Sequence, residues 1–123
     1  MENLVFVYGT LKKGNQTRGL DGFANAEFVG TAITTYAIYS LYDLGAFPAV
    51  TLKGNNKIQG EAWLVDDETM NILDRIEGYP DFYNRTQIAT TKGDAWIYYI
   101  PNIAEYPGVT QITAEPGQIV SWN

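Results

Sequence analysis

One stretch of this chain combines residue types and spacing that suggest chemistry: Leu73-Asp74-Arg75-Ile76-Glu77-Gly78-Tyr79-Pro80. Asp74 and Glu77 are three residues apart and share a face if the segment is helical. Glu77 then falls in the last turn, where the helix dipole disfavours negative charge. Burial there would push its carboxyl up toward neutrality, which suits a group that takes and returns a proton. Pro80, Phe82 and Tyr83 follow at once and can form a rigid, apolar wall beside it. The structural alternative is a solvated glutamate at a helix end, paired with Arg75 or Arg85, and from local pattern alone it is the commoner case.

The composition narrows the field. No histidine and no cysteine occur among the 123 residues. This excludes Ser-His-Asp and Cys-His catalysis, imidazole general bases, zinc-thiolate sites, iron-sulfur clusters and disulfides. The chemistry left belongs to carboxylates, lysine, tyrosine, hydroxyls, backbone amides or an oxygen-bound metal. Asp66, Asp67 and Glu68 could be taken for such a metal cluster, but acids in that position are better explained as caps of a helix start. No metal and no cofactor are expected.

A second candidate is Tyr8-Gly9-Thr10-Leu11, where an apolar run meets a glycine and the chain turns. Successive amides in such a turn can form a nest for a carboxylate or an oxyanion, although a glycine after a strand more often marks only a turn. Tyr83 has two equal readings, a hydrogen bond to Glu77 or a substrate and a buried bond to a backbone carbonyl. Arg85 reads as a structural ion-pair partner.

The elements that must position these residues are short. Leu4-Val5-Phe6-Val7-Tyr8 is a continuous apolar run of β-branched and aromatic residues, predicting a buried central strand. Residues 9–22 read as a loop with one helical turn near 17–20. Strands are expected over 27–35, 36–41, 46–52 and 58–65, with Lys53-Gly54-Asn55-Asn56 as the turn of a hairpin. Met70, Leu73 and Ile76 stand at helical spacing after the acids, so a helix is predicted over 67–77, stopped by Gly78 and Pro80. Residues 86–91 and 94–100 make a second hairpin about Lys92-Gly93, apolar on both faces. The tail from Pro101 reads as a looping segment that docks at its apolar end. About seven strands and one clear helix give an α+β class, a single domain over 1–123 on a curled sheet or barrel.

The net charge of −6 repels phosphate backbones, so nucleic acid is not an expected partner. Lys12, Lys13 and Arg18 make the only candidate basic patch. The acid at Glu2 and the short first apolar run do not make a signal peptide, and no run reaches the roughly 18 apolar residues of a membrane span. A cytoplasmic location follows as the default.

Read together, the two chemical segments resemble the paired signatures of the γ-glutamylcyclotransferase-like family. Tyr8-Gly9-Thr10-Leu11-Lys12-Lys13-Gly14 is similar to the first, and Leu73-Asp74-x-x-Glu77-Gly78-Tyr79-Pro80-x-x-Tyr83-x-Arg85 to the second. Gly45-x-Phe47-Pro48-Ala49-Val50, Gly60-Glu61-Ala62 and Ala95-Trp96-Ile97-Tyr98 resemble intermediate blocks in the same order, so the likeness runs from about residue 5 to about residue 99. It is closest to the small γ-glutamylamine cyclotransferase-like members. Many relatives carry a histidine shortly after the first signature, where this chain has Gly14-Asn15-Gln16-Thr17. That departure bears on substrate choice more than on reaction type.

The resemblance implies a small mixed β-barrel with helices packed on it and an enzyme that needs no metal. Its small-molecule substrate would be a γ-glutamyl amine or peptide, cyclised to 5-oxoproline with release of an amine. Glu77 would be the catalytic acid-base. Tyr8, Gly9, Thr10 and Leu11, with Tyr83, would hold the substrate. Two other readings stand beside it. One is a non-catalytic module that binds a small molecule in the same pocket. The other is a glycosidase-like pair of Glu77 with Asp74 or Asp81, for which the geometry is poorly met because helix neighbours do not straddle a bond.

Overall fold

The apolar run near the start of the chain is a central strand of an eight-stranded mixed sheet in the computed structural model. The structure describes residues 2–9, 11, 12 and 20–122, with only the backbone of Asp21. In chain order the elements are β1 (Glu2–Val7), β2 (Ala26–Ile33), β3 (Tyr39–Asp43), β4 (Pro48–Asp66), α1 (Asp67–Glu77), β5 (Asn84–Thr90), β6 (Gly93–Tyr99), β7 (Thr110–Ile112) and β8 (Ile119–Val120). Single 3-10 turns occur at Leu20–Gly22 and Ile103–Glu105. The class is α+β, as expected.

β1 lies between β4, its antiparallel neighbour, and β6, which runs parallel to it. Alternation along it explains why the run Leu4 to Tyr8 is apolar throughout. Val5 and Val7 face one core with Trp63, Val65, Met70 and Leu73, under α1. Phe6 and Tyr8 face a second core with Leu41, Ile58 and Ile97, inside the curl of the sheet. Both faces are covered, so no polar position is needed.

β4 is a single strand of 19 residues, where a hairpin was expected. Its first half pairs with β3, and its second half with β1 on one side and β2 on the other. The two halves therefore never pair with each other. Residues 52–55 are instead a bulge, because the register with β3 passes from Ser40↔Thr51 to Tyr39↔Asn56. Ser40 and Thr51 hydroxyls both donate to the Lys53 carbonyl at 3.1 Å, which holds the bulge in place. Its turn-forming residues serve a bend within a strand.

The ring of strands comes round on itself at one point. The bridge Thr34↔Thr90 brings the end of β2 to the end of β5, with Thr35 N–H donating to the Ala89 carbonyl at 3.0 Å. Since these strands meet only at their ends, the sheet is curled but not closed into a true barrel. The tail also does more than loop. β7 adds to β3 and β8 pairs parallel with β4. Their three and two residues are too few to carry a periodic signal.

α1 occupies the predicted residues, because its ends are set by local chemistry. The Asp66 carboxylate accepts from Thr69 N–H at 2.8 Å and caps the start. At the other end Gly78 is left-handed, with φ 66°. Its N–H donates to the Arg75 carbonyl at 3.2 Å, and Tyr79 N–H to that of Asp74 at 2.9 Å, which together close a Schellman stop. Met70 and Leu73 are buried against the sheet, fixing which face of the helix points inward. Among the described residues no helix is long and apolar enough to cross a membrane.

Candidate active site

A pocket of about 210 Å³ opens where the end of β1, the start of β4 and the end of α1 converge. That is a space suited to a small ligand. Its walls are mostly apolar, with Phe47, Pro48, Ile76 and Phe82 among them. Glu77 is the only acidic or basic side chain that lines it among the described residues. The helix cap puts it there: a chain stopped at Gly78 must present Glu77 in its last turn, half-buried and aimed at the pocket wall.

With Glu77, the pocket takes its lining from Tyr8, Gly9 and Leu11. Gly9 starts a tight turn in which Lys12 N–H donates to the Gly9 carbonyl at 3.0 Å. The bond spans the two ends of the turn. A Cβ at Gly9 would lie 2.7 Å from the Pro48 ring, so only glycine lets this turn sit against the first residue of β4. Thr10 lies outside the described residues, as do Lys13 and Arg18 of the basic patch. Lys12 is described, and its Nζ donates to the Trp122 carbonyl at 2.8 Å.

The tyrosines have specific partners. Tyr8 Oη–H donates to the Tyr98 carbonyl at 2.6 Å, and the same oxygen accepts from Val50 N–H at 3.1 Å. This ties β1 to β6 and β4, and the ring lines the pocket while the hydroxyl is engaged behind it. Tyr83 Oη–H donates to the Pro48 carbonyl at 2.6 Å, one of the two readings its sequence allowed. Burial above all, then the charges of Tyr83 and Glu77, pushes the Tyr8 phenol well above its usual range. The Tyr98 phenol is also pushed up, by burial first and then by its bond to Asp74 and the charges of Asp74 and Glu77, against the pull of Arg85. Neither phenol ionises near neutral pH, so neither can act there as a base.

Asp74 is turned to a different use. Arg85 Nε and Nη2 donate to its two carboxylate oxygens at 2.8 and 3.2 Å, and Tyr98 Oη–H donates to Oδ1 at 2.7 Å. The guanidinium lies over the rings of Trp96 and Tyr79, 4.4 and 4.7 Å from their centroids. Arg85 is thus an ion-pair partner, of Asp74. With its lone pairs so engaged, Asp74 is not available as half of a carboxylate pair.

Reading the sequence left Phe47, Pro48 and Tyr98 without a role. Phe47 and Pro48 sit in one intermediate block and Tyr98 in another, and those blocks were the only signal. Phe47 meets Phe82 edge to face at 6.0 Å, and Phe82 meets Tyr83 at 5.2 Å, so residues 35 apart build one aromatic wall.

Comparison with known proteins places the sequence and its fold among relatives. The model of the family "Gamma-glutamyl cyclotransferase, AIG2-like" matches residues 5–118. A protein of Vibrio cholerae, provisionally named a gamma-glutamylcyclotransferase, is 41% identical over 98 residues, covering 80% of this chain and 82% of its own. The gamma-glutamylcyclotransferase family protein YtfP of Escherichia coli is 35% identical over 98 residues, or 76% of this chain and 79% of that one. The solution structure of Escherichia coli ytfP aligns over 94% of each chain with a TM-score of 0.65 and 32% identity. A mouse AIG2-like protein aligns over 80% of this chain and 77% of its own with a TM-score of 0.69. At 24% identity, that last likeness speaks for the fold alone.

Proposed function

The chain belongs to the gamma-glutamyl cyclotransferase, AIG2-like family, and on that premise we propose that it cyclises γ-glutamyl amines or peptides to 5-oxoproline, with Glu77 as the acid-base. The observation that carries this reading is that Glu77 is the one carboxylate among the described residues lining a mostly apolar pocket, which the Gly9 turn also lines, in a chain without histidine or cysteine.

The nucleophile in this reaction is the substrate's own α-amine. Glu77 takes a proton from the α-ammonium, and the freed nitrogen attacks the γ-carbonyl carbon. Amides of the Tyr8–Leu11 turn, including that of Thr10, receive the oxyanion or the α-carboxylate. As the tetrahedral intermediate collapses, the bond from the γ-carbon to the leaving nitrogen breaks, and Glu77 returns its proton to that nitrogen. The second proton shed by the ammonium leaves with the released amine. Bond making and breaking thus balance without a covalent enzyme intermediate or a cofactor. The apolar walls keep water from competing for the carbonyl. Tyr83 holds Pro48 and so shapes the wall on the substrate's side. With a net charge of −6 and a small pocket, the partner in this reading is a small molecule, not nucleic acid, and the protein works in the cytoplasm.

The test is a panel of γ-glutamyl amines, γ-glutamyl dipeptides and glutathione, with 5-oxoproline measured directly. Release from at least one member is expected. No turnover on any member, together with a ligand that raises the melting temperature and is recovered unchanged, would favour the binding module.

A further inference from the structure

Two carboxylates three residues apart at the end of one helix create an electrostatic problem. The second charge penalises ionisation of the first, and the dipole at a helix C-terminus adds to the penalty. At the end of α1 those carboxylates are Asp74 and Glu77. Asp74 has a bidentate guanidinium partner in Arg85, at 2.8 and 3.2 Å. Its side chain is also only 16% exposed, and that of Arg85 20% exposed, so water screens the pair incompletely.

We infer that Asp74 and Arg85, joined by the Tyr98 hydroxyl, form a charge-neutral clamp that positions the last turn of α1 and sets the protonation of Glu77. This rests on reading Glu77 as the working carboxylate. The clamp reaches the pocket by two routes. Asp74 lies on the turn that presents Glu77, and its own carbonyl accepts the Tyr79 N–H bond that closes the helix stop. Tyr98 spans the two, since its ring lines the pocket with Glu77 while its hydroxyl is given to Asp74 at 2.7 Å.

The Tyr98 phenol feels Asp74, Glu77 and Arg85 together, so these charges share one electrostatic neighbourhood. Among the described residues, Tyr8 after β1 and Tyr83 from the segment before β5 line the same pocket as Glu77. Tyr8 stays neutral near pH 7. Seen from Glu77, the opposite charges of Asp74 and Arg85 offset each other only while both are present. The stacking of Arg85 between Tyr79 and Trp96 keeps its charge in register with Asp74.

This makes Asp74 and Arg85 positioning residues, and their removal should act with opposite sign. Asp74→Asn keeps the shape and leaves the Arg85 charge unbalanced, which favours ionised Glu77. Arg85→Met leaves the Asp74 charge unbalanced, which disfavours it. The experiment is a titration of the glutamate side-chain carboxyl carbons by NMR in 13C-labelled protein, with the Glu77 signal assigned by its absence in Glu77→Gln. Asp74→Asn should lower the Glu77 midpoint and Arg85→Met should raise it, each by about half a pH unit or more. Arg85→Lys, which restores the charge, should bring the midpoint back toward that of the unaltered protein. Midpoints that do not move, or that move in the same direction in both variants, would overturn the inference. Should Arg85→Met fail to fold, Asp74→Asn alone still decides, because a midpoint that is unchanged or raised contradicts the clamp. The titration needs no turnover, so it stays readable even if no γ-glutamyl compound is cyclised. The latter outcome would count against the proposed function alone.

Discussion

At the scale of single residues, the site depends on atoms whose partners are far away in sequence. The Tyr8 hydroxyl bridges a carbonyl 90 residues away and an amide 42 residues away, and both bonds are buried. Tyr8→Phe strands that carbonyl and that amide, so a loss of about 2 kcal/mol is expected in urea denaturation, on the scale of unsatisfied buried polar groups. An unchanged midpoint would mean water replaces the phenol. Gly9→Ala is expected to act on function instead. Its Cβ would meet the Pro48 ring at 2.7 Å and push the turn out of place, and displacement by about 1 Å of the turn proposed to hold the substrate would cost on the order of a hundredfold in turnover. Steady-state kinetics on a panel substrate checks this. The place of Glu77 in the last turn of α1 was legible in the sequence, because a helix stop follows it. The engaged hydroxyls were not, since nothing local in Tyr8 or Tyr83 says which backbone group of β4 or β6 it will find.

At the scale of elements, local chemistry made α1 legible to its ends, and the same chemistry gives a pH prediction. Hydrogen bonds from the Thr69 side chain and backbone hold the Asp66 carboxyl below its usual range. A group whose folded value is depressed stabilises the fold above its unfolded value, near 3.9 for an aspartate, and loses that contribution as pH falls through the folded value. The stability lead of the unaltered protein over Asp66→Asn, which caps without titrating, should therefore be constant above about pH 5 and shrink in more acid solution. Thermal melts across pH measure it, and a lead that grows in acid would contradict the assignment. The stop at Gly78 is as specific: with φ 66°, Gly78→Ala should cost about 1 kcal/mol. Where the sequence misled was β4. Lys53-Gly54-Asn55-Asn56 has the composition of a hairpin turn, but the pairing partners of the flanking halves are β3, β1 and β2, and composition cannot reveal partners. The short strands β7 and β8 escaped for a related reason: each is defined by the strand it joins and not by a pattern of its own.

At the scale of the whole molecule, the fold works by bringing four distant segments to one cavity. β1 delivers Tyr8 and Gly9, β4 delivers Pro48, α1 delivers Glu77 and β6 delivers Tyr98. The end of the chain also contributes, since Trp122 accepts from Lys12 at its carbonyl and donates its indole N–H to Asp43 at 3.2 Å. The order of the chemical segments was legible in the paired signatures, and a curled sheet in the many short strands, while the strand pairing that leaves the sheet incompletely closed was not. The account stands or falls on one carboxylate. The most direct measurement is 5-oxoproline release by the unaltered protein and by Glu77→Gln, side by side on the panel compound turned over fastest, with melting temperatures taken on the same samples. Loss of turnover by about a hundredfold or more at an unchanged melting temperature is the predicted result. A Glu77→Gln protein that releases 5-oxoproline as fast as the unaltered one would contradict it.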